Sequence, residues 1–105
     1  MDPKATDFFW QVALGMLKRD GVVRGTMMGY PCLRFEGAFF ASAEPKTGDL
    51  VVKLPATRVQ GLIASGTGSA FAPNGRRFKE WVRITERDAR LWRKLIKEAK
   101  AFVEA

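Results

Sequence analysis

The fold is decided by residues 22–54, which read VVRGTMMGYPCLRFEGAFFASAEPKTGDLVVKL. Short apolar runs alternate here with turn residues, a pattern typical of strands joined by tight connections. The pattern predicts an antiparallel meander. Its four strands are expected near Arg24 to Met28, Cys32 to Glu36, Ala38 to Ala43 and Asp49 to Leu54.

Three connections are expected within this meander. Gly29, Tyr30 and Pro31 predict a sharp turn, because proline removes a ladder donor and glycine permits unusual backbone angles. The Glu36-Gly37 step favours a tight hairpin. Residues 44–48 favour a longer exposed turn.

A helix is expected before the meander, from about Thr6 to Lys18, with Thr6 or Asp7 as its cap and Asp20-Gly21 as its end. Its apolar side is wide, which indicates burial by a sheet, or by a sheet together with a partner subunit. The residues of this side are Phe9, Val12, Ala13 and Met16, flanked by Trp10, Leu14 and Leu17.

A short helix is expected after the meander. Pro55 suits its first turn, where the missing N–H costs nothing, and Ser65-Gly66 suits its end. Its buried side is expected to consist of Val59, Leu62 and Ile63. Residues 67–77 read as a loop with Phe71 as its apolar anchor.

A last strand, from Phe78 to Ile84, is expected to lead into the final helix. Thr85 and Asp88 have the spacing of a capping box at the start of that helix. Its apolar side comprises Trp92, Leu95, Ile96, Ala99, Phe102 and Val103, and its basic side Arg90, Arg93, Lys94, Lys97 and Lys100.

The order α-β-β-β-β-α-β-α predicts one α+β domain over residues 1–105, in which three helices pack on a single antiparallel sheet of about five strands. No apolar run approaches the ~20 residues of a membrane span, and the N-terminus lacks the layout of a signal peptide. We therefore expect a cytoplasmic protein with no membrane partner.

The composition argues against an enzyme. The chain has no histidine, which is the usual general base near neutral pH and the commonest transition-metal ligand. Its single cysteine, Cys32, excludes an internal disulfide and any multi-cysteine metal site. The acidic residues are scattered, with no spacing that indicates a catalytic dyad. We expect no catalytic residue, no metal and no cofactor.

Four motifs carry a family resemblance: residues 27–33, 39–41, 50–55 and 79–82, which read MMGYPCL, FFA, LVVKLP and KEWV. Their spacing is similar to that of the TfoX N-terminal-domain-like proteins and the related MmcQ/YjbR group. The resemblance covers nearly the whole chain and is weaker at the first helix.

The resemblance implies a bacterial-type α+β protein with a central antiparallel sheet, associated with competence regulation or DNA binding. It supplies no agreed catalytic residues. Full-length TfoX regulators also carry a C-terminal helical domain, for which a chain ending at Ala105 leaves no space, so a competence-regulator role is not expected.

Charge is the one feature that indicates a class of partner. The net charge is +7, and ten of the 18 basic residues lie between Arg76 and Lys100. Such a concentration favours contact with a phosphate backbone. The candidate nucleic-acid-binding residues are Arg76, Arg77, Lys79, Arg90, Arg93, Lys94 and Lys97.

Other interpretations remain open. The basic residues are also compatible with a solvated helix face, which Glu86, Glu98 and Glu104 would dilute. The wide apolar side of the first helix favours a protein-interaction or self-association module, such as a homodimer. A third hypothesis is a small-molecule site in a groove between the sheet and the helices.

Two further residues allow alternative interpretations. Arg34 would lower the pKa of a nearby Cys32 thiol and make it reactive, but a strand cysteine beside Leu33 is more typical of packing. Trp81 is out of phase with its apolar neighbours. If it is exposed beside Tyr30, it would line a ligand groove or stack a base. The alternative is that the last helix covers it through Trp92.

Overall fold

The computed structural model describes residues 3–18, 21–27 and 29–105. Its helices are α1 (Asp7–Leu17), α2 (Ala56–Ala64) and α3 (Ala89–Glu104). Its strands are β1 (Val22–Met27), β2 (Tyr30–Phe35), β3 (Ala38–Ala43), β4 (Leu50–Lys53), β5 (Ser69–Ala70) and β6 (Trp81–Ile84). Short 3₁₀ turns lie at Pro3–Thr6 and Pro73–Gly75.

The strands form one antiparallel sheet in the order β1-β2-β3-β4-β6-β5. The α+β class and the order of the elements are therefore confirmed. The predicted number of strands was about five, and the described residues form six. The additional strand is β5, which consists of only two residues inside the segment that was expected to be a loop.

The sheet has two different faces because side chains alternate along each strand. The first, which we call the helix face, includes a transverse row of Leu33, Ala41, Val52 and Val82. This row belongs to one hydrophobic core with buried residues of α1, α2 and α3. The opposite side of the sheet, which we call the outer face, includes the adjacent row of Cys32, Ser42, Val51 and Arg83.

A loop covers part of the outer face. Phe71 follows β5 at one edge of the sheet, yet its ring centroid lies 6.1 Å from that of Tyr30 in β2. Four strand spacings of about 4.8 Å, roughly 19 Å in all, separate these two strands. The chain after β5 therefore folds back across the outer face. Phe71 is buried, as expected of an anchor.

The hairpin at Glu36-Gly37 is confirmed. Both residues have positive φ, 49° and 86°, as a type I′ turn requires.

The expected turn over residues 29–31 was partly wrong, because Tyr30 and Pro31 belong to β2 and pair with Met27 and Thr26. Gly29, with φ of 82°, supplies the turn, and a proline is tolerated near the start of a strand. Met28, the expected end of the first strand, lies outside the described residues.

The apolar side of α1 is largely buried within the chain itself. Phe9, Val12, Ala13 and Met16 are buried. Leu14 is the exception, with 58% of its surface exposed. Thr6 occupies the N-cap position, and Asp20, part of the expected helix end, lies outside the described residues.

The ends of α2 are close to those expected. Pro55 precedes the first helical residue instead of occupying the first turn. At the other end Ser65 is the C-cap, and Gly66 has φ of 79° with its N–H donating to the carbonyl of Ile63. A glycine in this conformation ends helices commonly. Val59 and Leu62 are buried, while Ile63 is only half-buried.

Two expected boundaries near the C-terminus were wrong. The last strand begins at Trp81 rather than Phe78, because the Trp81 N–H donates to the Phe78 carbonyl and closes a turn there. The capping box is absent: Asp88 is itself the N-cap of α3, and its carboxylate accepts from the Leu91 N–H at 3.1 Å. Thr85 therefore lies too early in the chain to cap α3.

Candidate nucleic-acid interface

The two sides of α3 differ sharply in polarity. Its buried side consists of Trp92, Leu95, Ile96 and Ala99. Its opposite side presents four exposed cations, which we call the cationic stripe: Arg90, Arg93, Lys94 and Lys97. This i, i+3, i+4, i+7 spacing places them on one side of a helix over about 10 Å. Because the opposite side packs on the sheet, the stripe points away from the rest of the fold.

The stripe is not neutralised by neighbouring carboxylates. Within the described part of the chain, none of its four cations has an ion-pair partner. Glu98 instead accepts two hydrogen bonds from Arg58 of α2, at 2.9 and 3.2 Å. Glu104 pairs with Lys100 at 2.7 Å. Two of the three glutamates expected to dilute the basic side are thus paired with cations outside the stripe.

Two other C-terminal cations, Arg83 and Arg87, share one carboxylate at the end of the sheet, which offsets one of their two charges. Asp49, whose side chain is 7% exposed, accepts from Arg83 Nε and from Arg87 Nη1, each at 2.8 Å. Arg87 also donates to the carbonyls of Thr85 and Thr47. Burial alone would raise the pKa of the Asp49 carboxyl, but the hydrogen bonds from Arg87, Arg83 and Thr47 outweigh burial and lower it.

Lys100 does not belong to the stripe, although it was expected on the basic side of the last helix. Its side chain is 13% exposed, and its ammonium lies 4.6 Å from the ring centroid of Phe35 as well as beside Glu104. Lys100 therefore lies at the flank of α3, between the solvated side and the core.

The other three candidate residues lie on the opposite side of the sheet. The Arg76 guanidinium is 5.8 Å from the Phe78 ring, which packs against Phe71 over the outer face. Arg77 is exposed in the same loop. Lys79 lines a groove with Trp81, an outer-face residue. The structure therefore brings together Arg90, Arg93, Lys94 and Lys97, and it separates them from Arg76, Arg77 and Lys79.

The groove beside Lys79 has a volume of about 440 Å³ and is lined by Lys53, Ala56, Phe78, Lys79, Glu80 and Trp81. Lys53 and Trp81 are direct partners across β4 and β6. Lys53 was not among the residues predicted to form a site. Alternation along β4 places it on the same face as Val51, and the pairing of β4 with β6 places it opposite Trp81.

Trp81 is not covered by Trp92. Trp81 is half-buried on the outer face, whereas Trp92 is fully buried on the helix face, with its ring centroid 4.7 Å from that of Phe8. The interpretation in which the last helix covers Trp81 was wrong.

Cys32 is a buried packing residue, as expected. Burial raises the pKa of its thiol, although the nearby Arg34 charge acts in the opposite direction.

No protein-family model, curated protein or solved structure matches the chain. The resemblance to TfoX-like proteins therefore remains a prediction. Among the described residues, no three His, Cys, Asp or Glu side chains are grouped so that they could hold a metal ion. None of the helices in the described ranges has the length and apolarity needed to cross a bilayer.

Proposed function

We propose that this protein is a non-enzymatic module that binds the phosphate backbone of duplex DNA through the cationic stripe of α3. The observation that supports this function is the set of four exposed, unpaired cations on one side of a helix whose other side is fixed in the core. A helix held in this way keeps the four charges in place before binding. A cytoplasmic location, the compartment expected from the sequence, agrees with this function.

The proposed contact is to phosphates and not to bases. Binding through cations releases counterions, so the logarithm of the association constant falls linearly with the logarithm of salt concentration, by about 0.9 per phosphate contact. Four contacts give a slope of about −3.6. Because phosphates carry no sequence information, affinities for unrelated duplexes are expected to be similar.

The test is fluorescence anisotropy with a labelled short duplex between about 50 and 200 mM salt. Reversing two charges, in the double variant Arg90→Glu and Arg93→Glu, should weaken binding at least ten-fold and reduce the slope to about −2. The matched control is the double variant Arg76→Glu and Arg77→Glu, which changes the net charge equally on the other side of the sheet. The control should keep the slope of the unmodified protein.

Three results would contradict the proposal. Undetectable binding at low salt or a flat salt dependence would remove it. An equal loss of affinity in both double variants would show that binding follows net charge and not the stripe. Circular dichroism of each variant confirms that the fold is retained.

The alternative is a protein-interaction or self-association module without nucleic-acid binding. Only Leu14 on the apolar side of α1 is largely exposed, and single exposed apolar residues are ordinary on protein surfaces. The structure therefore offers the homodimer hypothesis less support than it offers the stripe. Sedimentation velocity tests this hypothesis directly, and a concentration-independent monomer would remove it.

A further inference from the structure

The groove on the outer face combines an aromatic surface with two unpaired cations. Its half-buried aromatic residues are Trp81 and Phe78, and its lysines are Lys53 and Lys79. Neither ammonium has an ion-pair partner in the described ranges. A volume of about 440 Å³ lies within the range of about 300 to 1,000 Å³ that is usual for small-molecule sites.

The arrangement of these residues indicates the chemistry of the ligand. Lys53 and Trp81 are directly opposite on adjacent strands, so their Cβ atoms are about 5 Å apart. A planar ring on the indole would thus lie next to a positive charge, and Lys79 in the same groove supplies a second charge. The ligand that matches both features is a planar aromatic group attached to an anion.

Glu80 narrows this choice. Glu80 is an exposed acidic residue that also lines the groove. A carboxylate repels an anion placed beside it, so we expect the anionic group beside the lysines. A carboxylate is also a hydrogen-bond acceptor for an amino group on a planar ring. An amino-bearing nucleobase with a phosphate has all three properties.

We propose that this groove binds one nucleotide unit, with its base stacked on Trp81 and its phosphate between Lys53 and Lys79. The unit is either a free nucleotide or an unpaired nucleotide within a single strand. The proposal does not depend on duplex binding by α3, because the groove and the cationic stripe lie on opposite sides of the sheet.

The two other candidate sites are less suited to a ligand. A second cavity, also of about 440 Å³, lies between Trp10 and Arg24, but the Arg24 guanidinium is already stacked 4.2 Å from the Trp10 ring centroid. The carboxylate of Asp49 is fully engaged by Arg83 and Arg87. Neither site presents an unused charge beside an open aromatic surface.

The test uses nuclear magnetic resonance of the isotope-labelled protein, titrated with adenosine monophosphate. The three tryptophans give separate indole N–H signals, which Trp→Phe variants assign. Binding in the groove should shift the Trp81 signal and leave that of Trp92, which is fully buried in the core, unchanged. The Trp81→Ala variant should bind at least ten-fold more weakly, as expected for the loss of a stacking partner.

A matched pair of double variants tests the charges. Lys53→Gln with Lys79→Gln should weaken adenosine monophosphate binding about ten-fold or more, whereas Lys18→Gln with Lys46→Gln, which removes the same charge at exposed positions elsewhere, should change it less than two-fold. The Arg90→Glu, Arg93→Glu protein should bind the nucleotide like the unmodified protein. This last variant separates failure of the groove from failure of the duplex interface.

A single-stranded oligonucleotide distinguishes the two sources of the nucleotide unit. Tighter binding of the oligonucleotide than of adenosine monophosphate, with the same Trp81 shift, identifies a strand, and equal affinity identifies a free nucleotide. Either result supports the site. No Trp81 shift with either ligand would overturn the proposal. Inorganic phosphate that binds as tightly as the nucleotide, with no loss in Trp81→Ala, would overturn it as well.

Discussion

The two faces of the sheet place alternate residues of the same strands in different environments. Strand β6 buries Val82 and Ile84 completely against the helices. Its other two residues, Trp81 and Arg83, remain partly exposed on the outer face. The helix face therefore provides most of the burial that stabilises the fold, while the outer face leaves an indole and several charges available for binding.

The same division separates the two proposed binding surfaces. The cationic stripe lies on the far side of the helix layer, and the nucleotide groove lies on the other side of the sheet. The positive charge that looks continuous in the sequence between Arg76 and Lys100 is thus divided by the fold into surfaces that face opposite directions. This division is why variants at one surface serve as controls for the other.

Replacing Trp92 and Trp81 in turn tests the difference between the two faces of the sheet. It has the largest expected effect on stability. Trp92 is fully buried, and its indole N–H donates to the Glu86 carbonyl at 2.6 Å. Trp92→Ala should lower the free energy of unfolding by about 3 to 5 kcal/mol, because it leaves a cavity and an unpaired carbonyl. Trp81→Ala should cost about 1 kcal/mol or less. Urea unfolding followed by circular dichroism measures both.

The smaller substitution Trp92→Phe guards against complete loss of folding. It keeps most of the apolar contacts and should cost less than Trp92→Ala. The comparison between the faces fails if Trp81→Ala destabilises the protein as much as Trp92→Ala does.

The sequence predicts the helix face better than the outer face, and the reason is local periodicity. Apolar spacing identified most of the buried residues of the three helices, because each spacing is set within one element. Among the exceptions, Leu14 is exposed, and Ile63, Phe102 and Val103 are only half-buried. It also identified Arg90, Arg93, Lys94 and Lys97 as one side of α3. The two-residue strand β5 could not be predicted, because a run of two residues has no periodicity.

The long-range contacts were beyond sequence analysis. Asp49 is 34 residues from Arg83 and 38 from Arg87, so no local pattern links the carboxylate to the two cations with which it pairs. The path of the loop after β5 depends on which face Phe71 covers. Without that path, Arg76 and Lys79 could not be assigned to the side of the sheet opposite α3.

Gly48 lies where the helix layer meets the end of the sheet, and its substitution has the next largest expected effect. Its φ is 77°, and a Cβ placed there would lie 1.6 Å from the Ala5 carbonyl oxygen. Gly48→Ala should therefore cost about 2 to 4 kcal/mol, because it adds a backbone clash to the strain of a positive φ. Thermal and urea unfolding measure this cost.

Gly37 offers a matched control for Gly48. Its φ is 86°, but a Cβ there would meet nothing within 4 Å. Gly37→Ala should cost only about 1 kcal/mol, the strain of the left-handed conformation alone. Equal costs at the two glycines would show that the contact with Ala5 does not constrain the β3–β4 turn.

A smaller effect than that of Gly48→Ala is expected at Asp49, the buried carboxylate that holds Arg83 and Arg87 at the end of the sheet. Asp49→Asn should lower the free energy of unfolding by about 1 to 2 kcal/mol at pH 7, a modest loss because both arginine side chains are more than a third exposed to solvent. The pKa of the Asp49 carboxyl is lower in the folded protein than in the unfolded chain, where an aspartate titrates at about 3.9. The stabilisation by the charged carboxylate is therefore complete above that pH, and it is lost as the pH falls toward the folded-state pKa.

Urea unfolding at several pH values measures this effect. The difference in unfolding free energy between the unmodified protein and Asp49→Asn should be constant above about pH 5 and should shrink below about pH 4. A difference that is the same at both ends of this range would show that the carboxylate charge does not stabilise this part of the outer face.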